Sequence, residues 1–247
     1  MSILTTLATK ENDKMREPKG IVYGSVGVGK TIFGLNCVNR IMINCENGAA
    51  YTNQGVTKYL RTWPEMLEWL KAIADEDHDY KTLVIDTVDW LLRRVEEHVS
   101  GTDGNDKGLE ATLNRSHGGY GNGKQVLQNY VYQQLMPLLD KMVGRGIAVI
   151  LLAHSSRQNI TNSDGVTVEK SAPAIHPHLR DIIVEWCDFV GLAKEEPDNR
   201  VLFLKETGQY MAKNRYGIVD PVELDYIELR KSMDRNFAKI KTNLLKE

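Results

Sequence analysis

The segment from Gly24 to Thr31, which reads G-S-V-G-V-G-K-T, constrains the fold of this chain more than any other feature. It matches the pattern G-x-x-x-x-G-K-[ST] and lies between a short apolar run, residues 20–23, and a segment with helical character, residues 30–38. Glycines at these positions let the backbone wrap around a phosphate, and the amide hydrogens of such a turn form an anion-binding nest. The strand–turn–helix context therefore predicts a P-loop that binds the phosphates of a nucleoside triphosphate.

Two residues near this loop are expected to hold Mg²⁺. The Thr31 hydroxyl follows the P-loop lysine, and Asp86 ends the apolar run K-T-L-V-I-D, on a strand expected to lie beside the P-loop. In P-loop enzymes a hydroxyl and a carboxylate of this kind hold the metal ion, while the lysine, here the catalytic residue Lys30, reaches the β- and γ-phosphates. Asp86 could instead cap the helix that follows it. The predicted nucleotide contacts are Gly24, Ser25, Val26, Gly27, Val28, Gly29, Lys30 and Thr31.

Glu46 is the candidate catalytic base. It follows the second strand-like run, R-I-M-I-N-C at residues 40–45, where a carboxylate could face the γ-phosphate and polarise the attacking water. A glutamate on the surface of a loop is the alternative interpretation. The expected nucleotide is ATP by default, because the chain has no guanine-reading N-K-x-D motif.

Strand-like and helix-like segments alternate along the chain. The strand candidates are residues 20–23, 40–45, 81–86, 147–153, 188–194, 200–204 and 209–213, and the helix candidates are residues 30–38, 63–75, 87–99, 126–143 and 221–245. The strands read as continuous apolar runs, so both faces of the sheet should be covered. The pattern predicts an α/β fold of three layers, with a mostly parallel central sheet, later antiparallel strands and a C-terminal helix.

The expected domain organisation is a single core with short additions. Residues 1–17 form an N-terminal extension, residues 18–220 the ATPase core and residues 221–247 the C-terminal helix. Residues 100–124 are rich in Gly, Asn, Asp and Ser, which favours an exposed, mobile loop. Residues 155–177 contain two short β-like runs around a turn at Ser163 to Gly165, which predicts a projecting hairpin.

Composition limits the environment of the protein. The 31 basic and 33 acidic residues give a net charge of −2, which excludes a generally basic coat for nucleic acid but not a local basic groove. Three cysteines without C-x-x-C spacing argue against a disulfide framework. The first residues carry too many charges for a signal peptide, and no apolar stretch is long enough to span a membrane. The expected location is the cytoplasm.

Several segments together resemble the RecA/DnaB/KaiC branch of P-loop ATPases. Glu46 follows the second strand, Ile147–His154 ends in a histidine where that branch places a γ-phosphate sensor, and K-N-R-Y-G at residues 213–217 is similar to its late basic segment. With the glycine–tyrosine segment Gly118–Gly123, the chain resembles the phage-encoded RecA-like proteins of the fourth Sak type over residues 18–220. The resemblance implies a RecA-like core that works in single-strand annealing and recombination in a bacterial host cell.

The resemblance also implies roles for individual residues and partners. His154 would sense the γ-phosphate, and Lys213 and Arg215 would act in trans on the triphosphate of a neighbouring subunit, in a homo-oligomeric ring or filament. Residues 155–172 occupy the place of a DNA-binding loop, although the loop has no aromatic side chain to stack on bases. Its candidate contacts with single-stranded DNA are Arg157, Gln158, Asn159 and Lys170. A single-strand binding protein is a further expected partner, and the basic C-terminal stretch is an alternative DNA surface.

Two other functions remain open from the sequence. One is a helicase-like or loader motor of the same branch, which would work on DNA as a hexamer. The other is a KaiC-like nucleotide-gated switch, whose client would be a protein and whose ATPase would not respond to DNA. A small-molecule kinase is less favoured, because the chain has no arginine-rich, lid-like segment.

Overall fold

The computed structural model of the protein describes residues 15–46, 55–101, 113–161 and 164–244. Its strands are Lys19–Gly24 (β1), Arg40–Asn44 (β2), Thr82–Asp86 (β3), Ala148–Thr161 (β4), Thr167–Pro173 (β5), Phe189–Glu195 (β6), Arg200–Phe203 (β7), Lys213–Asn214 (β8) and Val222–Glu223 (β9). Its α-helices are Lys30–Leu35 (α1), Trp63–Asp75 (α2), Val88–Val99 (α3), Asn122–Tyr130 (α4), Met136–Gly144 (α5), Pro177–Trp186 (α6) and Tyr226–Leu244 (α7). A π-helical turn, Val131–Leu135, joins α4 to α5.

The strands form one sheet with the P-loop strand near its middle. The order is β2-β3-β4-β1-β6-β7-β9, with β5 paired to β4 and β8 paired to β6. Strands β2, β3, β4, β1 and β6 run parallel, whereas β7, β8 and β9 are antiparallel to their neighbours. This arrangement confirms the predicted α/β fold with a mostly parallel sheet and later antiparallel strands.

Helices cover both faces of the sheet because successive strand residues point to opposite sides. In β1, Ile21 packs in the cluster that contains Trp63 and Met66 of α2, whereas Val22 packs in the cluster that contains Phe33 of α1. Helix α2 has the bounds predicted from its sequence. The Thr62 side chain accepts a hydrogen bond from the Glu65 amide, and the Glu65 carboxylate accepts one in return from the Thr62 amide.

The strand that ends at Ala153 in the sequence prediction continues to Thr161. Beyond His154 it leaves the main sheet and pairs with β5, from Ser155 opposite Pro173 to Thr161 opposite Thr167. The predicted hairpin is therefore confirmed as a long two-stranded ribbon that extends β4 itself. Residue 163 of the expected turn lies outside the described residues.

Three other predicted elements have different bounds. Residues 209–212 are not a strand, because Tyr210 forms only a single bridge with Ser171, and β8 is limited to two residues. The C-terminal helix begins at Tyr226, since the preceding residues pair as β9 with β7 and the Asp225 carboxylate accepts from the first helical amides. The helix predicted from residue 126 begins at Asn122 and passes through the π-helical turn just before Pro137, which has no amide hydrogen.

The expected mobile loop at residues 100–124 is only partly described. Within the described part, Leu113 is buried, and the α4 helix already begins at Asn122. Residues 102–112 lie outside the described ranges, as do most of the N-terminal extension and residues 245–247. Among the helices of the described ranges, none combines the length and the apolar character needed to cross a membrane.

Candidate functional site

The loop between β1 and α1 has the geometry of a phosphate-binding turn. Gly27 and Gly29 adopt left-handed backbone angles, with φ of 82° and 105°, which side chains rarely allow. The Lys30 side chain is 7% exposed, and its ammonium donates to the carbonyl oxygens of Gly24 at 3.1 Å and Ser25 at 2.8 Å. Burial lowers the pKa of Lys30. The predicted P-loop residues therefore form one compact turn, and hydrogen bonds to its first two residues hold the Lys30 ammonium.

Thr31 and Asp86, the two predicted metal ligands, are in direct contact. The Thr31 hydroxyl donates to Oδ2 of Asp86 at 2.8 Å, although β4 lies between β1 and the strand that carries Asp86. Asp86 therefore lies beside the P-loop, although its strand is not the direct neighbour of the P-loop strand. Asp86, the last residue of β3, is paired with Leu152 of β4, and Leu152 is paired with Val22 of β1, two residues before the loop begins at Gly24.

The Asp86 carboxylate fits a magnesium site. The residue is 1% exposed, its Oδ1 is a buried atom with no hydrogen-bond partner among the described residues, and burial raises its pKa. An unpaired buried carboxylate oxygen is costly, so a metal ion or its bound water would relieve a real penalty there. Magnesium usually takes one or two protein ligands and completes its shell with water and phosphate oxygens. The described residues include no group of three or more His, Cys, Asp or Glu suited to holding a metal ion.

Glu46 and His154 face each other beside this carboxylate. Glu46 follows β2, and its Oε2 lies 3.7 Å from Nε2 of His154 and 3.4 Å from the hydroxyl of Thr87, which donates to it. His154 is paired in register with Gly24, the first residue of the P-loop motif. Burial raises the pKa of Glu46, and the nearby imidazole opposes that rise. The arrangement places a carboxylate and an imidazole together at the edge of the P-loop.

Asp89 completes this cluster, and the sequence analysis does not identify it. Its Oδ1 accepts from the His154 amide at 3.0 Å, and its Oδ2 lies 2.8 Å from His154 Nδ1, with the carboxylate 12% exposed. An imidazole that donates Nδ1–H to a carboxylate presents Nε2 to the other side, here toward Glu46. The only local signal is its position three residues after Asp86, in the first turn of α3.

Lys213 and Arg215 lie away from the P-loop of their own chain. The Lys213 ammonium donates to the carbonyl oxygens of Val184 and Glu185, at the end of α6, and Arg215 pairs with Asp188 at 3.2 Å. Asn214, which lies between the two basic residues, pairs with the first residue of β6, whereas the P-loop follows the opposite, carboxyl end of β1. At about 3.3 Å per residue, the four residues of β1 between these levels separate them by roughly 13 Å. A role for these side chains at the P-loop of another subunit stays a prediction.

The four candidate DNA contacts lie on the β4–β5 ribbon. Arg157 is exposed and 3.4 Å from Glu169, and Lys170 pairs with Glu206 at 2.8 Å. Gln158 turns inward, where its amide donates to Ser156 and Pro173, whereas Asn159 is exposed. The hydrogen-bonding groups of the Gln158 side chain are therefore already used by contacts within the protein.

A groove of about 1520 Å³ separates this ribbon from α3. Its walls include the side chains of Tyr59, Trp90, Arg93, Arg94, Gln158 and Asn159. The guanidinium groups of Arg93 and Arg94 lie over the Trp90 ring, 4.8 Å and 5.2 Å from its centroid, and both pair with Glu97. The groove thus contains the aromatic side chains that residues 155–172 lack, and Asp89 of the His154 cluster also borders it.

Comparison with known proteins identifies a family. A family model described as an AAA domain matches residues 16–216, which is more than half of the 247 residues. The matched range includes the P-loop, Asp86, the cluster of Glu46, Asp89 and His154, and the late basic pair. No curated protein matches the chain.

Proposed function

Because this chain belongs to the AAA domain family of P-loop NTPases, we propose that it hydrolyses ATP with Mg²⁺ and acts on single-stranded DNA in phage recombination or annealing. The observation that carries the hydrolysis is the convergence of four elements at one edge of the sheet. The P-loop after β1 lies within reach of the Asp86 carboxylate on β3, one oxygen of which has no partner among the described residues. The facing side chains of Glu46, after β2, and His154, on β4, lie beside it. This is the set of groups that phosphoryl transfer to water requires.

Each group has a distinct task in this mechanism. Lys30 neutralises charge on the β- and γ-phosphates. Thr31 and Asp86 would hold Mg²⁺, which would supply further charge neutralisation when bound. The oxygen of a water molecule attacks the γ-phosphorus as the bond to the ADP oxygen breaks, and the water proton passes to Glu46. The raised pKa of Glu46 suits it to accept that proton.

His154 links hydrolysis to the rest of the molecule. Its side chain lies beside Glu46, and the same strand continues without a break into the ribbon that carries the candidate DNA contacts. A change in the position of His154 on loss of the γ-phosphate would therefore act on the ribbon through β4 and on the groove through Asp89.

The DNA-binding part of the proposal rests on the groove beside the ribbon. Single-stranded DNA is bound by aromatic or guanidinium planes that stack on bases, together with amides and basic groups that contact the strand. Trp90 with its two arginines provides such planes on one wall, and Asn159 provides an exposed amide on the other. This pairing supports single-stranded DNA, which the sequence resemblance also implies.

Assembly is proposed from the position of the late basic pair. Lys213 and Arg215 lie near the end of β1 opposite to the P-loop of their own chain, which supports a role at the phosphates of another copy. A contact between opposite edges is head-to-tail, and it produces a ring if the rotation closes or a filament if it does not.

The test is ATP hydrolysis measured during a titration with single-stranded DNA. We expect the rate to rise with DNA for the wild type, and a mixture of Lys213→Ala with Lys30→Ala to recover part of the activity that each variant alone lacks. Lys141→Ala is the matched control, because Lys141 of α5 is an exposed cation that pairs with the exposed Asp75 at the end of α2. A rate that does not change with DNA would sink the recombination role and favour a protein-directed switch, while directional unwinding of a duplex would favour a helicase-like motor.

A further inference from the structure

The residues around the P-loop are distributed unequally on its two sides. The strands on one side of β1, namely β4, β3 and β2, bring His154, Asp86 and Glu46 to the loop. A nucleotide held by the loop therefore directs its γ-phosphate toward this side. The α-phosphate, ribose and base must extend toward the other side, where β6 and β7 lie.

Arg200, the first residue of β7, lies on that other side and directly over the P-loop. A methyl group added to Gly29 would lie 3.1 Å from Nη1 of Arg200, 3.5 Å from its Cδ and 3.6 Å from a methyl group of Leu224. The backbone of Leu224 donates to the Arg200 carbonyl at 2.8 Å, which fixes β7 and β9 beside the loop. The guanidinium therefore borders the same glycine whose amide faces the bound phosphates.

The guanidinium is available for a ligand. Its one ion pair in the described part of the chain is with Glu195, at 3.9 Å, and the Glu195 side chain is 71% exposed. The Arg200 side chain itself is 44% exposed. A long pair between exposed groups holds a side chain only weakly, so a phosphate oxygen can replace the carboxylate at little cost.

We propose that Arg200 binds the α-phosphate of the nucleotide within its own subunit and sets nucleotide affinity rather than the rate of hydrolysis. The inference rests on the proposed ATP binding and adds a residue that the motif and the resemblance do not include. Arg200 differs from Lys213 and Arg215 because it reaches the P-loop of its own chain. A guanidinium suits this role, since its planar donors match phosphate oxygens in a fixed geometry.

The expected effect separates binding from chemistry. The α-phosphate carries no new charge in the transition state, so a contact with it stabilises bound ATP and the transition state equally. Removal of the contact should raise KM and leave kcat unchanged. A charge-assisted hydrogen bond that is partly exposed to water corresponds to a loss of affinity of about 5- to 20-fold.

The experiment compares the wild type with Arg200→Ala, Arg200→Lys and the control Lys141→Ala. For each protein, equilibrium binding of ATP, ADP and magnesium tripolyphosphate is measured first, and steady-state ATP hydrolysis second. We expect Arg200→Ala to bind all three ligands about 5- to 20-fold more weakly with kcat within about twofold of the wild type. Arg200→Lys should recover part of the affinity, and Lys141→Ala should match the wild type.

Three results would overturn the inference. Unchanged ATP and ADP affinity in Arg200→Ala would show that the guanidinium does not contact the nucleotide. A fall in kcat with unchanged affinity would make Arg200 a transition-state residue instead. Weaker binding of ATP and ADP with unchanged tripolyphosphate binding would assign Arg200 to the base and exclude the α-phosphate. If the wild type itself bound no nucleotide, the proposed ATPase function would fail together with this inference.

Discussion

Replacement of Asp86 by asparagine should stabilise the protein in the absence of nucleotide. Asp86 is 1% exposed, one carboxylate oxygen accepts from Thr31 at 2.8 Å, and the other is buried without a partner in the described ranges. Burial raises the pKa of this carboxyl above its ordinary value. The ionised form is thus disfavoured in the folded protein, and a neutral side chain of the same shape removes that penalty.

The sign of the pH dependence follows from the raised pKa. A group with a folded pKa above its unfolded value of about 3.9 contributes stability that is complete below that value and is lost as the pH rises through the folded pKa. At pH 7 to 8 the wild type lacks this contribution, whereas Asp86→Asn resembles the protonated form at every pH. The stability of the variant should therefore exceed that of the wild type by the largest amount at neutral pH. This difference in stability should become smaller as the pH falls.

The magnitude is set by the buried charge, because asparagine still has a polar atom at the position of Oδ1 but is not ionised. Such a group costs about 1–3 kcal/mol, and in a chain of this size each kcal/mol changes Tm by about 2–4 °C. We expect Tm of Asp86→Asn to exceed that of the wild type by roughly 2–12 °C at pH 7.5. Addition of ATP and Mg²⁺ should raise Tm of the wild type but produce little Mg²⁺-dependent rise in the variant.

The assay is thermal unfolding between pH 5 and pH 8, with and without ATP and Mg²⁺. Asp75→Asn is the matched control, because the Asp75 side chain is 54% exposed and should have no effect of this kind. A lower Tm for Asp86→Asn at pH 7.5, or a difference that grows in acid, would refute the reasoning.

Three further substitutions have defined outcomes. In Asp89→Asn the side-chain amide still accepts a hydrogen bond from the His154 backbone amide, but it donates one to Nδ1, so the imidazole proton moves to Nε2. We therefore expect kcat for ATP hydrolysis to fall by about tenfold or more with KM nearly constant. An unchanged kcat would show that the tautomer is irrelevant. Gly34→Ala places a methyl group 2.9 Å from Met42 inside the core, so urea unfolding should show a loss of about 1–3 kcal/mol. Gly144 lies at a helix end with open space around it, so Gly144→Ala should raise the free energy of unfolding by about 0.4–1 kcal/mol. Equal changes in the free energy of unfolding at the two glycines would contradict this account.

The features that the sequence predicted well depend on neighbours in the chain. The P-loop, the bounds of α2 and the buried strands follow from glycine spacing, a capping box and continuous apolar runs. Asp86 was identifiable because a carboxylate directly after such a run can only lie at the end of a strand. Its contact with Thr31 then follows from the meeting of parallel strand ends at one edge of the sheet.

The features that the sequence missed depend on which distant segments meet. Asp89 contacts His154, 65 residues away, only because β4 lies next to β3 in the sheet. Arg200 reaches Gly29 because β7 folds back along β6, and no local pattern reports that pairing. The sequence predicts a C-terminal helix from residue 221, but Val222 pairs with β7, a long-range contact that overrides local helical character.

The most direct test of the central claim is Mg²⁺-dependent ATP hydrolysis by the wild type and by Glu46→Gln, with ATP binding measured on the same preparations. The account predicts hydrolysis by the wild type that requires Mg²⁺. It predicts that Glu46→Gln binds ATP as the wild type does but hydrolyses it at least about 100-fold more slowly, because the amide cannot accept the water proton. Hydrolysis by Glu46→Gln at the wild-type rate would contradict the assignment of the catalytic base, and a wild type that bound ATP without hydrolysing it would contradict the proposed ATPase activity.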